Sequence, residues 1–268
     1  MEISAAEYSQ FRKILESKSG ILLGENKQYL VVSRLSNFIK ENDLSSLSEL
    51  LAKIERPSGS SLLQQVVDQM TTNETLWFRD LYPFEYMKRE IIPSLKKKSS
   101  ARIWCAACSS GQEPYSLAML LHESMSNKSI EIIASDLSTR VLEKAKRGIY
   151  QAIELKRGMP DDKLKRYFTP LEDSSWQVKQ DVKNCVKYHP ANLLNLPYTL
   201  GKFDVIFCRN VLIYFSQENK TKVLNAMIKS LKPGGFLFLG ASESLTRDCD
   251  PLEMVRCNPG LVYRKPES

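Results

Sequence analysis

The chain has 268 residues, of which 43% are apolar and 26% are charged, and its formal net charge is +7. These proportions are typical of a globular protein with one large domain or two smaller ones. No apolar run approaches the ~18 residues that a membrane-spanning helix needs. The first residues contain neither the basic nor the apolar region of a secretory signal, so we expect a cytoplasmic protein without membrane insertion.

The positive charge is concentrated in one part of the chain. Residues 1–70 contain 8 Lys/Arg and 9 Asp/Glu, a net charge of −1, whereas residues 71–268 contain 30 and 22, a net charge of +8. A basic segment suits nucleic acid, an acidic protein surface or an anionic substrate. The alternative that the basic isoelectric point has no functional meaning is equally compatible with the composition.

The cysteines are predicted to be reduced and structural. Cys105 and Cys108 form a C-x-x-C pair, but a zinc site would need two further ligands. The only histidines, His122 and His189, lack metal-ligand spacing. Because the pair closes a predicted strand, whereas a redox pair usually opens a helix, we expect buried thiols and no metal site.

Residues 1–70 are predicted to form a small all-helical N-terminal domain. Apolar residues recur at helical spacing within Tyr8–Leu15 and again within Leu30–Phe38. Ser46 and Glu49 form a capping box, which predicts the start of a further helix. A breaker rich in Pro, Gly and Ser separates this helix from the last one.

Residues 101–268 are predicted to form an α/β domain, joined to the helical domain by a linker helix region at 71–100. Short apolar runs alternate with amphipathic segments, a pattern typical of a parallel sheet with helices on both faces. The predicted strands are 102–107, 130–135, 186–189, 203–208 and 236–240. A final strand at 261–264 is expected to be antiparallel. The charged stretch at about 167–187 interrupts the alternation and predicts a small antiparallel β insertion.

Ligands of such sheets bind beyond the carboxyl ends of the strands. The turn from Cys108 to Pro114 contains one glycine, whereas a dinucleotide fingerprint has three. Asp136 ends the second strand, where a carboxylate can accept hydrogen bonds from both hydroxyls of a ribose. The run Lys232–Gly235 predicts a turn before a late strand. This combination resembles the Rossmann-like methyltransferases that use S-adenosylmethionine.

Two further segments combine polar residues with residues that must pack. The first is TTNETLWFRD at 71–80, in which Arg79 is either solvated or functional. The second is FDVIFCRNVLIYF at 203–215, in which Arg209 follows a buried strand and therefore needs an anionic partner. Tyr214 is expected one helical turn beyond Asn210, either as a packed aromatic residue or as part of the site.

TTNETLWFRD, CSSGQEPYSLA, SDLSTRVLEKAKRGIY, ANLL and FCRNVLIYF occur in this order. They closely resemble the CheR-type chemotaxis receptor methyltransferases, over nearly the whole chain. The resemblance implies transfer of a methyl group from S-adenosylmethionine to receptor glutamates, giving methyl esters. No general base is then required, because a glutamate side chain is already ionised at neutral pH.

The resemblance also assigns the site residues. It implies that Arg79 and Tyr214 hold the reacting carboxylate and that no metal takes part. The residues implied to contact S-adenosylmethionine are Asn73, Thr75, Arg79, Glu113, Asp136, Asn192, Leu193, Arg209 and Asn210.

The implied partner is the cytoplasmic helical domain of chemotaxis receptors, met by a monomer through its second helix, which contains Lys27, Arg34 and Lys40. A regulatory adaptor is a possible further partner. Some members grip a receptor tether with the β insertion. Here no glycine lies between Gly158 and Gly201, so a turn with positive φ is less expected and we predict recognition without a tether.

Two other classes of function remain open at this point. A nucleic-acid methyltransferase would suit the basic segment, but the Asp/Asn-Pro-Pro-aromatic motif of amino-methylating enzymes is missing after the fourth strand. Cys208 also lacks the preceding proline of enzymes that attack pyrimidines. A non-enzymatic module that binds S-adenosylmethionine is the other alternative, against which Arg79 and Tyr214 argue.

Overall fold

The computed structural model describes residues 1–125, 129–196 and 200–267. The chain divides into two compact units. The first consists of Met1–Thr72 together with Tyr214–Asn219, and the second contains the rest of the chain. Residues 73–100, predicted as part of a separate linker region, belong to the second unit.

The first unit is helical, as predicted. Its helices are α1 (Ala5–Ser19), α2 (Gln28–Glu41), α3 (Leu47–Ile54) and α4 (Ser60–Met70). The Ser46 hydroxyl accepts a hydrogen bond from the Glu49 N–H at 3.2 Å, so α3 begins where the capping pattern predicts. The Glu49 carboxylate, however, accepts from the N–H and the hydroxyl of Ser45, not from Ser46.

Arg34 has a structural task within this unit. Its guanidinium donates to the carbonyl oxygens of Met70 at 2.5 Å and Thr71 at 3.3 Å, and to the Thr72 hydroxyl at 2.9 Å. The last carbonyls of a helix have no partner within the helix, so Arg34 caps the C-terminal end of α4. The prediction that Arg34 is a docking charge on α2 therefore lacks support, which leaves Lys27 and Lys40 for that role.

The second unit is built on a mixed seven-stranded sheet. Its strands are β1 (Ser100–Ala106), β2 (Ser129–Asp136), β6 (Val186–Pro190), β7 (Phe203–Cys208), β8 (Leu231–Leu239), β9 (Glu253–Cys257) and β10 (Gly260–Arg264). The strand order is β6-β2-β1-β7-β8-β10-β9, and β10 is antiparallel to both of its neighbours. The sequence predicted the parallel strands and the last antiparallel strand but missed β9.

Helices accompany this sheet. They are α5 (Tyr82–Tyr86), α6 (Ile92–Leu95), α7 (Gln112–Ser124), α8 (Thr139–Arg147), α9 (Ala152–Leu155), α10 (Asp161–Tyr167), α11 (Gln180–Lys183) and α12 (Gln217–Ser230). The turn predicted at Lys232–Gly235 falls inside β8, at the point where the register of that strand against β7 shifts. The register shifts between Phe203 and Val205 of β7, and Gly234 has a φ of 70°. Gly234 and Gly235 therefore lie in a bulge-like irregularity within β8.

The small insertion is a three-stranded antiparallel sheet of order β3-β5-β4. Its strands are β3 (Ile149–Gln151), β4 (Phe168–Pro170) and β5 (Ser175–Val178). The predicted bounds of 167–187 are wrong at both ends, because β3 belongs to this sheet and Val186–Lys187 belong to β6. Ser174 has a φ of 63°, so the turn between β4 and β5 reaches positive φ without a glycine.

Residues 71–81 do not form the predicted linker helix. Residues 71–76 have no regular structure, residues 77–80 form a turn, and the helical stretch begins at Tyr82. The Trp77 N–H donates to the Arg157 carbonyl at 3.1 Å, and the Phe78 N–H donates to the Ser116 hydroxyl at 3.1 Å. These long-range hydrogen bonds satisfy backbone groups that a helix would have paired locally.

Candidate cofactor site

The turn after β1 brings backbone close to neighbouring segments. The Cys108 N–H donates to the Ser135 carbonyl at 2.9 Å, and the Ser109 hydroxyl donates to the Asn73 carbonyl at 2.8 Å. Gly111, just before α7, has a φ of 96°, and a Cβ there would lie 2.9 Å from the Ala145 Cβ. Both the positive φ and the lack of space require glycine at this position.

Asp136 joins the loops that follow β1 and β2. Its Oδ2 accepts a hydrogen bond from the Ser109 N–H at 2.8 Å, and its Oδ1 accepts from the Ser138 N–H at 2.9 Å. The residue is only 7% exposed. Since each carboxylate oxygen has about two lone pairs, Asp136 can hold the backbone and still accept from a ribose hydroxyl.

Arg209 is the centre of a buried ion cluster beyond the end of β7. Its Nη1 lies 2.9 Å from a Glu113 carboxylate oxygen, and its Nη2 lies 2.6 Å from an Asp80 carboxylate oxygen. Nη2 also donates to the Arg79 carbonyl at 2.9 Å. The expectation that Arg209 must be paired is confirmed. Burial raises the pKa of Glu113, and the charge of Arg209 opposes that rise.

Arg79 differs from Arg209 in having its charge uncompensated. Its side chain is half-buried, and its Nη1 donates to the Glu74 carbonyl oxygen at 3.4 Å. No carboxylate pairs with Arg79 within residues 1–125, 129–196 and 200–267. The hydrogen bond with Arg157 is the main cause that lowers the pKa of Glu74, and the charge of Arg79 adds a smaller contribution. The same charge opposes the burial that raises the pKa of Glu113. Arg79 is therefore a cation beside the buried cluster that can bind an incoming anion.

Asn192 and Leu193 lie next to the strand that carries Asp136. The Ala191 N–H donates to the Asp136 carbonyl at 2.9 Å. The Asn192 Oδ1 accepts from the Leu194 N–H at 3.0 Å and so caps a short 3-10 turn at Leu193–Asn195. A half-buried amide next to a buried leucine offers polar and apolar contacts at this edge of the sheet.

Asn210 is held by a carboxylate that the sequence analysis missed. The Asn210 N–H donates to Glu243 Oε2 at 2.7 Å, as does the Gly240 N–H, and the Ile213 N–H donates to Glu243 Oε1 at 3.3 Å. Glu243 thus joins the loops after β7 and β8. The buried Oδ1 of Asn210 has no hydrogen-bond partner in the part of the chain that the structure describes.

Tyr214 lies in a different environment from the one expected. Asn210 has a φ of 58°, which breaks the chain direction, and Leu212–Tyr214 form a 3-10 turn before α12 begins at Gln217. The prediction that Tyr214 lies one helical turn beyond Asn210 is therefore wrong. Tyr214 belongs to the first unit, where its carbonyl accepts a hydrogen bond from the Leu22 N–H at 2.8 Å.

A cavity of about 460 Å³ opens beside Asn73 and Thr75, with Ser110 and Gln112 also in its wall. The cations around it are Arg140, Lys144, Arg147 and Arg157. Lys144 pairs with Glu154, and Arg157 pairs with Glu74. Of the nine predicted cofactor residues, Asn73 and Thr75 line this cavity.

The described residues contain buried thiols but neither a membrane-spanning helix nor a metal-ligating cluster. Cys105 and Cys108 are free and buried, and burial raises the pKa of both thiols well above the usual range. Among residues 1–125, 129–196 and 200–267, no helix has the length and apolarity needed to span a bilayer. The same residues include no cluster of three His, Cys, Asp or Glu side chains that could ligate a metal.

The site residues fit a nucleoside cofactor better than a dinucleotide. They comprise a turn with one glycine, a buried carboxylate at the end of β2, and an unpartnered buried amide oxygen after β7. All three lie at the carboxyl ends of parallel strands, where ligands of α/β sheets bind. This fold and site define the class of Rossmann-like S-adenosylmethionine-dependent methyltransferases.

Comparison with protein families identifies the particular family. The family model described as "CheR methyltransferase, SAM binding domain" matches residues 73–261, and "CheR methyltransferase, all-alpha domain" matches residues 6–71. The chain belongs to the CheR methyltransferase family of S-adenosylmethionine-dependent chemotaxis methyltransferases. The resemblance found in the sequence is thereby confirmed.

Individual relatives agree over nearly the whole length. A chemotaxis protein methyltransferase of Vibrio parahaemolyticus is 48% identical over 268 residues, covering 98% of both chains. Chemotaxis protein methyltransferase 1 of Pseudomonas aeruginosa is 46% identical over 273 residues, covering 98% of this chain and 99% of the relative. A TehB-like methyltransferase structure from Corynebacterium glutamicum is more distant, with 13% identity, a TM-score of 0.38, and coverage of 65% of this chain and 83% of that one.

Asp136→Asn is expected to weaken S-adenosylmethionine binding by about 1–3 kcal/mol. The amide replaces one acceptor oxygen by a donor, which cannot accept from a ribose hydroxyl and faces the N–H of Ser109 or Ser138. Titration calorimetry measures the dissociation constant directly. Asp162→Asn, at an exposed position of α10, is the matched control and should bind normally. Equal dissociation constants for both variants would contradict the assignment of Asp136.

Proposed function

We propose that this protein transfers the methyl group of S-adenosylmethionine to glutamate side chains of chemotaxis receptors, giving glutamate methyl esters. Its relatives are chemotaxis protein methyltransferases, which supports a chemotaxis substrate. The observation that carries the carboxylate acceptor is Arg79, a half-buried cation beside Glu113 with no ion pair among the described residues. A free cation next to a cofactor site suits an anionic acceptor.

The two arginines are proposed to have different tasks. Arg209 is neutralised by Glu113 and Asp80, so its role is to fix the segments that carry these residues. Arg79 keeps its charge available and can hold a carboxylate with two parallel hydrogen bonds. A carboxylate held too tightly would lose nucleophilicity, and the half-buried position of Arg79 moderates the interaction.

The remaining residues are proposed to orient the reactants. Asp136, Asn73 and Thr75 would hold the ribose and amino-acid ends of the cofactor, and Asn192 with Leu193 would contact the adenine. Bound S-adenosylmethionine supplies an activated methyl group, so the protein's contribution is mainly alignment and exclusion of water. The acceptor glutamate is ionised at neutral pH and needs no base.

The test uses S-adenosylmethionine with a labelled methyl group and the purified cytoplasmic domain of a chemotaxis receptor from the same organism. Transfer to protein followed by release of volatile label in mild base identifies methyl esters. A receptor domain with its acceptor glutamates changed to alanine is the control. Base-stable label, or label transferred only to added nucleic acid, would refute the proposal.

Tyr214→Phe is expected to leave S-adenosylmethionine affinity unchanged while slowing single-turnover methylation up to about tenfold, the value of one hydrogen bond to the acceptor carboxylate. Calorimetry and rapid-quench kinetics on the same variant separate binding from chemistry. Wild-type single-turnover rates would assign Tyr214 to packing in the first unit.

The cellular setting belongs to the same proposal. We place the protein in the cytoplasm as a monomer that meets the helical cytoplasmic domain of receptors through Lys27, just before α2, and Lys40 of α2, with an adaptor as a possible further partner. Recognition without a receptor tether remains a prediction. The lack of glycine in this stretch no longer favours that prediction, because Ser174 adopts the positive φ of the turn between β4 and β5.

A further inference from the structure

A second cavity, of about 510 Å³, lies in the second unit beyond the end of β8 and against the hairpin formed by β9 and β10. Its wall includes Tyr82, Gly240, Glu243, Arg256, Leu261 and Tyr263. This volume is in the range of cavities that receive ligands, and it exceeds the space of a single side chain. None of the predicted cofactor residues lines it, so this cavity is distinct from the one beside Asn73.

The cavity adjoins the residues assigned to the cofactor. A Cβ on Gly240 would lie 2.9 Å from the backbone N and the Nδ2 of Asn210, so the cavity wall contacts that residue. Glu243 holds both Gly240 and Asn210 by their N–H groups. On the other side, Tyr82 follows two residues after Asp80, which pairs with Arg209. A molecule in this cavity would therefore approach Arg209 and Asn210 from the side opposite to β1 and β2 in the strand order.

The hairpin presents two different faces. Val255, Cys257 and Val262 pack into the core of the second unit. Arg256 is opposite Leu261 in register, and Met254 is opposite Tyr263. Because side chains alternate along a strand, these four lie on the other face.

That other face carries an apolar surface with one uncompensated cation. Met254 is 58% exposed, and Arg256 is exposed with no ion pair within the described ranges. Glu243, by contrast, already accepts three backbone hydrogen bonds. Glu243 keeps its negative charge, but its oxygens are occupied by these N–H groups. Arg256 is therefore the charged side chain of this wall that is open to a ligand, and it lies beside apolar side chains.

We propose that this cavity receives the acceptor segment of the receptor, an acidic amphipathic peptide segment, and that Arg256 pairs with a carboxylate near the glutamate to be methylated. The inference rests on the proposed function, since it names the place of that function's protein substrate. Charge complementarity selects this occupant, because Arg256 favours an acidic segment and Met254 with Leu261 favour its apolar side chains. A second copy of this chain is an alternative occupant that the experiment can reveal.

The experiment compares steady-state methylation of a purified receptor cytoplasmic domain by the wild-type protein and by Arg256→Glu. We expect the KM for the receptor domain to rise at least about tenfold in the variant, with an unchanged dissociation constant for S-adenosylmethionine. The gap between the two proteins should narrow at high salt, because the pair is solvent-accessible. Arg89→Glu makes the same charge change at an exposed position outside the cavity wall and should behave as the wild type.

A photoreactive amino acid at the position of Met254 gives a second readout that does not depend on rates. It should cross-link to the receptor segment that contains the methylated glutamates. Wild-type KM in Arg256→Glu, or cross-links only between copies of this chain, would overturn the inference while leaving the proposed function intact. If the wild-type protein forms no methyl esters at all, the proposed function fails and this inference fails with it.

Discussion

Replacing Arg209 by methionine is expected to lower the free energy of unfolding by about 3–5 kcal/mol. Arg209 is buried, and its guanidinium contacts the carboxylates of Glu113 and Asp80. Methionine fills much of the same volume but leaves a buried carboxylate without its counter-charge, which is the costly half of a broken ion pair. Urea denaturation monitored by circular dichroism measures the change, and S-adenosylmethionine binding should be lost in parallel.

The pH dependence of this variant gives a second signature. Burial already holds the pKa of Glu113 above its ordinary value of 4.5, and Arg209 limits that rise. Without Arg209 the pKa of Glu113 rises further, so the folded variant binds a proton that the unfolded chain has released. Stability then falls as pH increases above 4.5. The difference between wild type and variant should therefore widen from pH 5 to pH 8.

Two controls isolate the ion cluster. Arg247 is exposed and has no ion pair among the described residues, so Arg247→Met should change stability by no more than about 0.5 kcal/mol. Adding Glu113→Gln to Arg209→Met should recover part of the loss, because it removes the stranded charge. If Arg209→Met is as stable as the wild type at pH 7, the ion cluster contributes nothing to the free energy of unfolding.

Gly158→Ala is expected to lower the free energy of unfolding by about 2 kcal/mol or more and to weaken S-adenosylmethionine binding several-fold. Gly158 has a φ of 101°, and a Cβ there would lie 2.3 Å from the Trp77 carbonyl oxygen. The backbone must therefore move. The irregular segment and turn that carry Asn73, Thr75 and Arg79 would move with Trp77, so binding and stability are affected together.

The packing of the Trp77 side chain opposes this displacement of the backbone. Its ring makes edge contacts with Tyr150 and Phe168 of the small sheet, at centroid distances of 4.9 and 5.5 Å. The matched control is Gly24→Ala, since the nearest atom to a Cβ there is a flexible Lys27 carbon at 3.6 Å and φ is not positive. Equal stabilities of the two alanine variants would contradict the account of Gly158.

Much of the fold could be predicted because it depends on local patterns. Apolar runs bounded by turns located the parallel strands, and Ser46 located the start of α3. These signals lie within a few residues of the elements they specify. The prediction of a linker helix failed because distant residues, and not local signals, set the structure of that segment. The N–H groups of Trp77 and Phe78 donate to Arg157 and Ser116, far along the chain, and residues 77–80 form a turn in place of a helix.

The candidate site, like the fold, could be predicted only in part. The residue types at the strand ends were readable, since a buried arginine at position 209 demands a counter-ion and Asp136 ends a strand. The ion-pair and hydrogen-bond partners of these residues could not be predicted from the sequence. Asp80 and Glu113 meet Arg209 across sequence separations of 129 and 96 residues. Glu243 gave no local signal, because its role is to satisfy backbone groups on two distant loops.

By itself the sequence determined the family, the α/β class, the helical N-terminal domain and the positions of Asp136 and Arg209 at strand ends. Only the tertiary structure decided which arginine is neutralised and which keeps its charge. It likewise decided that Arg34 caps a helix and that Arg256 stands beside a second cavity. The physical reason is that charge compensation and backbone satisfaction are set by groups far apart in the chain, which become neighbours only after the strands have paired.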